Sequence, residues 1–399
     1  MIKVKSGSIL NRLKIVITRK PIHTLILVYL LLVLIATAQS VLPGLSPKNS
    51  DRWYYFKYNN YIIFEQANLH LMEGMDLYKA YPDKYEDLYK YSPTFALLFG
   101  PFRLLPSALG LFFWNLTNAF LLLFSVFLLP TPDLKKKGVL LLFISVELLT
   151  SLQNSQSNAI LAALIIFTFV FLERKSHFLA ALSLMVAVFI KPFAIAGLAL
   201  FLLYPEKIRS VGYSLFWFLL LLLIPLLFID VTSLSYHYEK WFASLEYDHT
   251  NSYGISNMGW LHSWFGFEID KRLLVVIGWV FFMIPFIRYR RFSEAHFRTA
   301  ILSSLLIWVV IFNHKAESAT FIIAMAGIAI WFFSRPSSKV NIVLIILAFI
   351  LTSLSPTDLF HVSIRDKYLV PYCIKVFPCI IIWVTILTEL SFRKTPRIS

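Results

Sequence analysis

The sequence predicts an all-α polytopic membrane protein. Three observations predict it. First, of 399 residues 58% are apolar and only 15% are Asp, Glu, Lys or Arg. Ordinary soluble domains carry about a quarter charged residues, so this chain has too few to cover a water-facing surface. Second, long apolar runs recur along its length. Third, the charges between those runs are strongly asymmetric. The same composition excludes disorder, collagen and coiled coil. Two cysteines, Cys373 and Cys379, do not make a disulfide framework or a Cys-rich metal site. The net charge of +15 would point to nucleic acid in a soluble protein. Here it reads as loop orientation, and no nucleic-acid partner is expected.

A helix crossing ~30 Å of hydrocarbon needs roughly 20 apolar residues. Runs of that order lie at 21–42, 107–130, 211–230, 272–289, 340–355 and 370–390. Shorter ones lie at 138–150, 159–172, 178–190, 193–204, 299–312 and 319–334. Charge arbitrates whether the short ones cross. With the N-terminus inside and each run counted once, 22 of 37 basic residues fall on the inner side. Only Asp133, Glu173, Glu206, Glu294 and Glu389 accompany them. That is the bias of the positive-inside rule. Fusing 178–204 into one crossing would invert every later loop. The expectation is about twelve transmembrane helices, several short, with both termini cytoplasmic. Residues 24–38 also resemble a signal peptide, with Ala36-Thr37-Ala38 as a cleavage site. An uncleaved first helix fits the later loops better.

The large outer loops are 43–92, 231–271 and 356–369, whereas the inner loops are short and basic. In the first, Trp53, Phe56, Ile63, Phe64, Ala67 and Leu71 recur near a 3.6 period. They predict an amphipathic helix at the membrane interface, opened by Asp51 beside Ser50 and stopped by Gly74. Asp51 there is either an N-cap or a functional acid. Tyr54, Tyr55, Tyr58, Tyr61, Tyr78, Tyr81, Tyr85, Tyr89 and Tyr91 crowd the loop. They read as an aromatic belt, with some available to stack on sugar rings.

Four polar clusters fall where short helices meet on the outer side. These are Gln153–Asn158, Lys191-Pro192, Asn313–Ser318 and Asn251–Trp264, with His249 and His262 near the last. Glu147 adds an acid inside a short helix, at a cost of about 2.5–3.5 kcal/mol if central. Each cluster has an ordinary reading as turn residues, and Lys191 as a snorkelling lysine. Their common face favours a recessed outer pocket. No Walker loop, GxGxxG, HExxH, GxSxG or CxxC occurs, so nucleotide-driven transport and zinc hydrolysis gain no support. No internal repeat is visible, which weakens a transporter reading.

Several elements together resemble glycosyltransferase family 87. They are Asp51-Arg-Trp-Tyr-Tyr, Glu73-Gly-Met-Asp-Leu-Tyr78, Tyr89-Lys-Tyr-Ser-Pro, Gln153–Asn158, Phe189-Ile-Lys191-Pro192, Trp241, Asn251-Ser252 and Asn313-His314. The resemblance covers roughly residues 20–335 and rests on order and spacing. It implies a GT-C-like fold with interfacial helices in the first outer loop. Residues 1–271 would then form the catalytic module, with outer loops 43–92 and 231–271. Helices in 272–399 would complete the pocket. It also implies transfer of a sugar, most often mannose, from a polyprenyl-phosphate donor to an envelope lipid or glycan, with inversion. No cofactor is implied, and a divalent metal is left open.

An inverting transfer needs a base for the acceptor hydroxyl and a cation for the leaving phosphate. On this reading Asp51 is the base, and Lys191, with Lys315, meets the phosphate. His314 shares that task or orients the acceptor. Gln153, Asn154, Gln156 and Asn158, with Tyr55 and Asn251, contact sugar or acceptor. The expected location is the cytoplasmic membrane, with the site on the outer face. The competing functions are a lipid-linked sugar transporter or flippase, and an envelope polysaccharide polymerase or ligase.

Overall fold

A computed structural model describes residues 21–48, 50–250 and 253–392. Its architecture is predominantly helical. The first helix, α1 (Pro21–Val41), leads to a two-stranded antiparallel hairpin, β1 (Leu45–Lys48) and β2 (Ser50–Phe56). The loop then folds through α2 (Asn59–Met72) and the short α3 (Pro93–Leu98) into α4 (Ser107–Leu128). The bundle continues with α5 (Leu134–Phe143), α6 (Ser145–Gln153), α7 (Asn158–Glu173) and α8 (His177–Ile190), then a 3₁₀ helix over Pro192–Leu203 and α9 (Lys207–Leu223). After α10 (Val231–Thr250) and α11 (Asn257–Phe265) come α12 (Lys271–Met283), α13 (Ala295–Ile311), α14 (Phe321–Phe333), α15 (Lys339–Ala348) and α16 (Phe377–Phe392).

Among the described residues five helical segments are long and apolar enough to cross a membrane: Ile22–Val41, Ser107–Leu128, Lys207–Leu227, Lys271–Arg291 and Ile374–Phe392. Six shorter apolar helices accompany them, at Asn158–Glu173, His177–Ile190, Pro192–Leu203, Ala295–Ile311, Ser318–Phe333 and Lys339–Leu354. These eleven coincide with eleven of the apolar runs. The remaining run, 138–150, is broken between α5 and α6 at Ile144. There the Ser145 hydroxyl donates to the Leu142 carbonyl at 2.7 Å, a local bond that competes with the helical ladder. The 3₁₀ geometry of Pro192–Leu203 rises about 2.0 Å per residue, so its 12 residues span further than an α-helix of equal length.

The interior is set by α7, α13 and α14, which are apolar on every side and buried almost throughout. By contrast, α9 and α12 expose most of their apolar surface and form the flanks. Close approach of α13 and α14 depends on a missing side chain. A Cβ on Gly327 would lie 2.7 Å from the Ser303 carbonyl oxygen, as at small-residue crossings of membrane helices.

The bundle has two chemically distinct ends. At one end Arg298 of α13 clamps Glu173 of α7, at 2.5 and 2.9 Å. Arg335 similarly holds both oxygens of Glu389 from α16. Arg291 pairs with Glu294, Arg209 with Glu206 and Lys136 with Asp133. Thus all five acids assigned to the basic inner side are paired with bases of that side. At the opposite end α7 and α14 begin, α13 stops, and the polar clusters collect.

Two expectations for the first loop are corrected. Ser50 and Asp51 open no helix; they begin β2, and the helix starts only at Asn59. Nor is α2 an amphipathic helix lying on an interface. Tyr61, Ile63, Phe64, Ala67, Asn68, His70 and Leu71 are all buried, in a second core with Tyr85, Tyr89, Phe95, Phe99 and Trp114. Tyr61, Tyr85 and Tyr89 are therefore core residues and not a belt. Burial is tolerated because most hydroxyls find carbonyls. Tyr61 donates to Phe102 O at 3.1 Å, Tyr78 to Tyr91 O at 2.8 Å and Tyr89 to Ser92 O at 2.7 Å. Gly74 does stop α2, with φ of +67°.

Candidate active site

Lys191 owes its position to its neighbour. Pro192 disfavours helical geometry in the residue before it, so α8 ends and Lys191 is extended at φ −141°, ψ 114°. Its side chain turns towards the start of α7. There the Lys191 Nζ donates to Asn158 Oδ1 at 2.7 Å. Asn158 Nδ2 donates to Gln156 Oε1 at 2.7 Å, and Gln156 Nε2 donates to Glu317 Oε2 at 2.6 Å. Four side chains from three separate turns thus form one hydrogen-bonded chain. It runs from the half-buried Lys191 through the buried Asn158 and Gln156 out to the exposed Glu317. It is a recessed polar site with one open end.

Each turn is fixed locally. After α6 the backbone reverses with Ser155 at φ +52°, while Ser155 N–H reaches Leu152 O at 2.9 Å and Gln156 N–H reaches Ser151 O at 3.2 Å. This is a Schellman closure that delivers Gln156 and Asn158 to the mouth of α7. After α13, Lys315 N–H bonds Asn313 Oδ1 at 2.9 Å. Glu317 then caps the turn Ser318–Thr320 through a reciprocal bond with Thr320. From the side, Ile255 N–H donates to Ala316 O at 2.7 Å. That approach needs Gly254, at φ +56°, because a Cβ there would sit 2.5 Å from the His314 carbonyl oxygen. Lys271 lies over the neighbouring Tyr253 ring at 4.9 Å.

The first loop walls the site. Lys191 Nζ lies 5.8 Å from the Tyr91 ring centre, within reach of a cation–π attraction. Ser92 caps α3 and donates to Phe189 O at 2.5 Å. Trp241 of α10 donates to Lys90 O at 3.2 Å, and Thr94 donates to Leu221 O at 2.7 Å. Burial pushes the Lys191 ammonium down to about 8, against the opposing pull of the Glu317 carboxylate.

The sequence-derived residues divide as follows. Gln156, Asn158 and Lys191 are joined. Gln153 and Asn154 are not part of that chain. Gln153 bonds Gln39 of α1 at 2.6 Å, and Asn154 bonds Thr150 O at 2.8 Å. His314 and Lys315 are half-buried on the loop that ends in Glu317. Asp51 and Tyr55 lie on β2, but their side chains fall outside the described residues, as does the whole of Asn251. Sequence reasoning missed Tyr91 and Glu317 as site members, though both belong to segments it singled out. It also missed Lys375. This residue donates to Glu147 Oε1 at 2.7 Å and to Ser318 Oγ at 3.0 Å. Among the described residues no three His, Cys, Asp or Glu side chains converge as metal ligands would.

An apolar crevice of about 430 Å³ opens beside this end of the bundle. It runs between α12 and α16, from Asn257 and Trp260 to Ser391 and Phe392, with Phe312 in its wall. Phe312 directly precedes the loop bearing His314 and Glu317.

The molecule is thus a helical membrane bundle with a recessed, cation-bearing polar site and an adjoining apolar crevice. The profile of glycosyltransferase family 87 matches residues 89–313, more than half of the chain, and the chain belongs to that family. It is a membrane glycosyltransferase. The matched region contains Tyr91, Gln156, Asn158 and Lys191; Asp51 precedes it, and Glu317 and Lys375 follow it. No curated protein matches the chain closely enough to count as a relative.

Proposed function

We propose that this glycosyltransferase moves a hexose, mannose or a close relative, from a polyprenyl-phosphate donor to an envelope lipid or glycan, inverting the anomeric carbon. The observation that carries this reading is the Lys191–Asn158–Gln156–Glu317 chain. It presents an ammonium beside amides that match sugar hydroxyls. The apolar crevice next to the same loop supports a donor with a long hydrocarbon chain. Both termini are cytoplasmic, the bundle crosses the membrane about twelve times, and the site opens outward. The collection of paired acids and surplus bases at the opposite end supports that orientation.

In the reaction, Asp51 takes the proton of the acceptor hydroxyl. The oxygen attacks the anomeric carbon as the bond to the phosphate oxygen breaks, and polyprenyl phosphate leaves with the electron pair. Lys191, assisted by Lys315, meets the charge that grows on the phosphate. His314 orients the acceptor, and Gln156 and Asn158 hold the sugar.

The test uses purified protein in lipid nanodiscs with polyprenyl-phosphate mannose, a parallel pentose donor, and envelope lipids and glycans as acceptors. Mass spectrometry follows free polyprenyl phosphate and new glycoside. Wild type should release polyprenyl phosphate from the mannose donor, and Asp51→Asn should fold normally with turnover reduced at least about a hundredfold. Near-normal turnover by Asp51→Asn removes it as the base. Donor movement across a bilayer without any new glycosidic bond would replace transfer by flipping.

A further inference from the structure

The most buried ion pair among the described residues lies just behind the site. Glu147 of α6 is fully buried, and Lys375, in the turn Ile374–Val376 before α16, is 4% exposed. Their 2.7 Å bond joins residues 228 positions apart. Such a pair is poor value as a stabiliser. Desolvating both ions costs several kcal/mol, and apolar residues of equal volume are often no worse. The pair is therefore better read by what it holds in place than by the stability it adds.

Lys375 has a second partner. Its Nζ donates to Ser318 Oγ at 3.0 Å and lies 5.0 Å from the Phe321 ring centre. Its own carbonyl accepts from Thr352 Oγ1 at 2.9 Å, which pins the backbone that carries it. Ser318 is the residue after Glu317, and both belong to one capped turn. Glu317 in turn holds Gln156, Asn158 and Lys191. The ammonium is thus the fixed point from which the exposed end of the site is hung. Ile255 and Gln156 also hold this loop, at Ala316 and Glu317, but Lys375 is the contact made through Ser318 itself.

We propose that Lys375 is a positioning residue of the transferase site: held by Glu147, it fixes Ser318 and so sets Glu317 at the end of the Gln156–Asn158–Lys191 chain. The C-terminal segment then belongs to the site, although it lies wholly beyond the family match. The effect on ligand binding rests on the donor chemistry proposed above; the effect on the loop does not.

The decisive variant is Ser318→Ala, which removes the acceptor and leaves the ion pair intact. The full-length protein in nanodiscs is tested for thermal midpoint, for amide hydrogen exchange over 313–320 and 153–158, and for binding of sugar-free polyprenyl phosphate. The expected result is an unchanged midpoint, exchange over both segments faster by about tenfold, and a Kd for polyprenyl phosphate weaker by about tenfold. The double variant Glu147→Gln/Lys375→Met restores charge balance without the anchoring ammonium. It should keep the wild-type midpoint yet show the same faster exchange. Exchange at the wild-type rate in Ser318→Ala overturns the proposal, as does a double variant indistinguishable from wild type. If wild type fails to bind polyprenyl phosphate while the loop still loosens in both variants, Lys375 stands as the anchor and the donor assignment falls.

Discussion

At the scale of single residues, Lys191 supplies the ammonium of the site, bonded to Asn158 and beside the Tyr91 ring. Near pH 7 its ammonium is mostly charged, and at about pH 9 it is mostly neutral, because burial sets its pKa at about 8. The pKa is lowered, so the ammonium is present at low pH and lost as pH rises. On the proposed reading kcat/KM therefore falls above about pH 8, approaching tenfold per pH unit. Glu317→Gln removes the carboxylate that favours the charged form, so the basic limb should move to lower pH. Lys191→Arg keeps the charge at all accessible pH, and the limb should disappear even if the rate is low. A wild-type profile of kcat/KM flat to about pH 9.5 would separate Lys191 from phosphate recognition. That Lys191 stands at the apex of an apolar hairpin was legible in the sequence, where snorkelling was its ordinary reading; that it bonds Asn158 was not. Nor was the meeting of Lys375 with Glu147 legible, because no spacing rule links residues 228 positions apart.

At the scale of elements, the crossing of α13 and α14 depends on the missing side chain of Gly327. Gly327→Leu forces a side chain against the Ser303 carbonyl and the Leu306 and Ile307 side chains. Overpacking of this kind costs typically 1–3 kcal/mol, so the thermal midpoint should fall by several degrees in nanodiscs. An unchanged midpoint would mean that the two helices separate freely. Elements show where sequence reading succeeds. Apolar runs such as 159–172 and 299–312 appear as α7 and α13 because length and composition suffice. The first outer loop was harder. Trp53 and Phe56 fit a helical period, yet Ser-Asp-Arg-Trp-Tyr-Tyr-Phe is equally an aromatic strand. Its tyrosines looked interfacial because a sequence does not reveal which carbonyls will accept their hydroxyls.

At the scale of the whole molecule, the two ends of the bundle make opposite predictions about access. Lys136 is exposed at the basic end, and Asp83 is exposed on the first large loop. In a background of Cys373→Ser and Cys379→Ala, a membrane-impermeant maleimide added to intact cells should label Asp83→Cys and spare Lys136→Cys. Permeabilisation should expose both. Labelling of both in intact cells, or of Lys136→Cys alone, would overturn the proposed orientation.

The crevice between α12 and α16 has one more implication. Its walls include the exposed apolar flank of α12, so on the proposed reading the polyprenyl donor approaches in the plane of the bilayer and not from solution. The collision that starts the reaction is two-dimensional. What the enzyme senses is the donor's share of the surrounding lipid, and diluting that lipid with inert phospholipid starves the site even when the amount of donor per litre is unchanged.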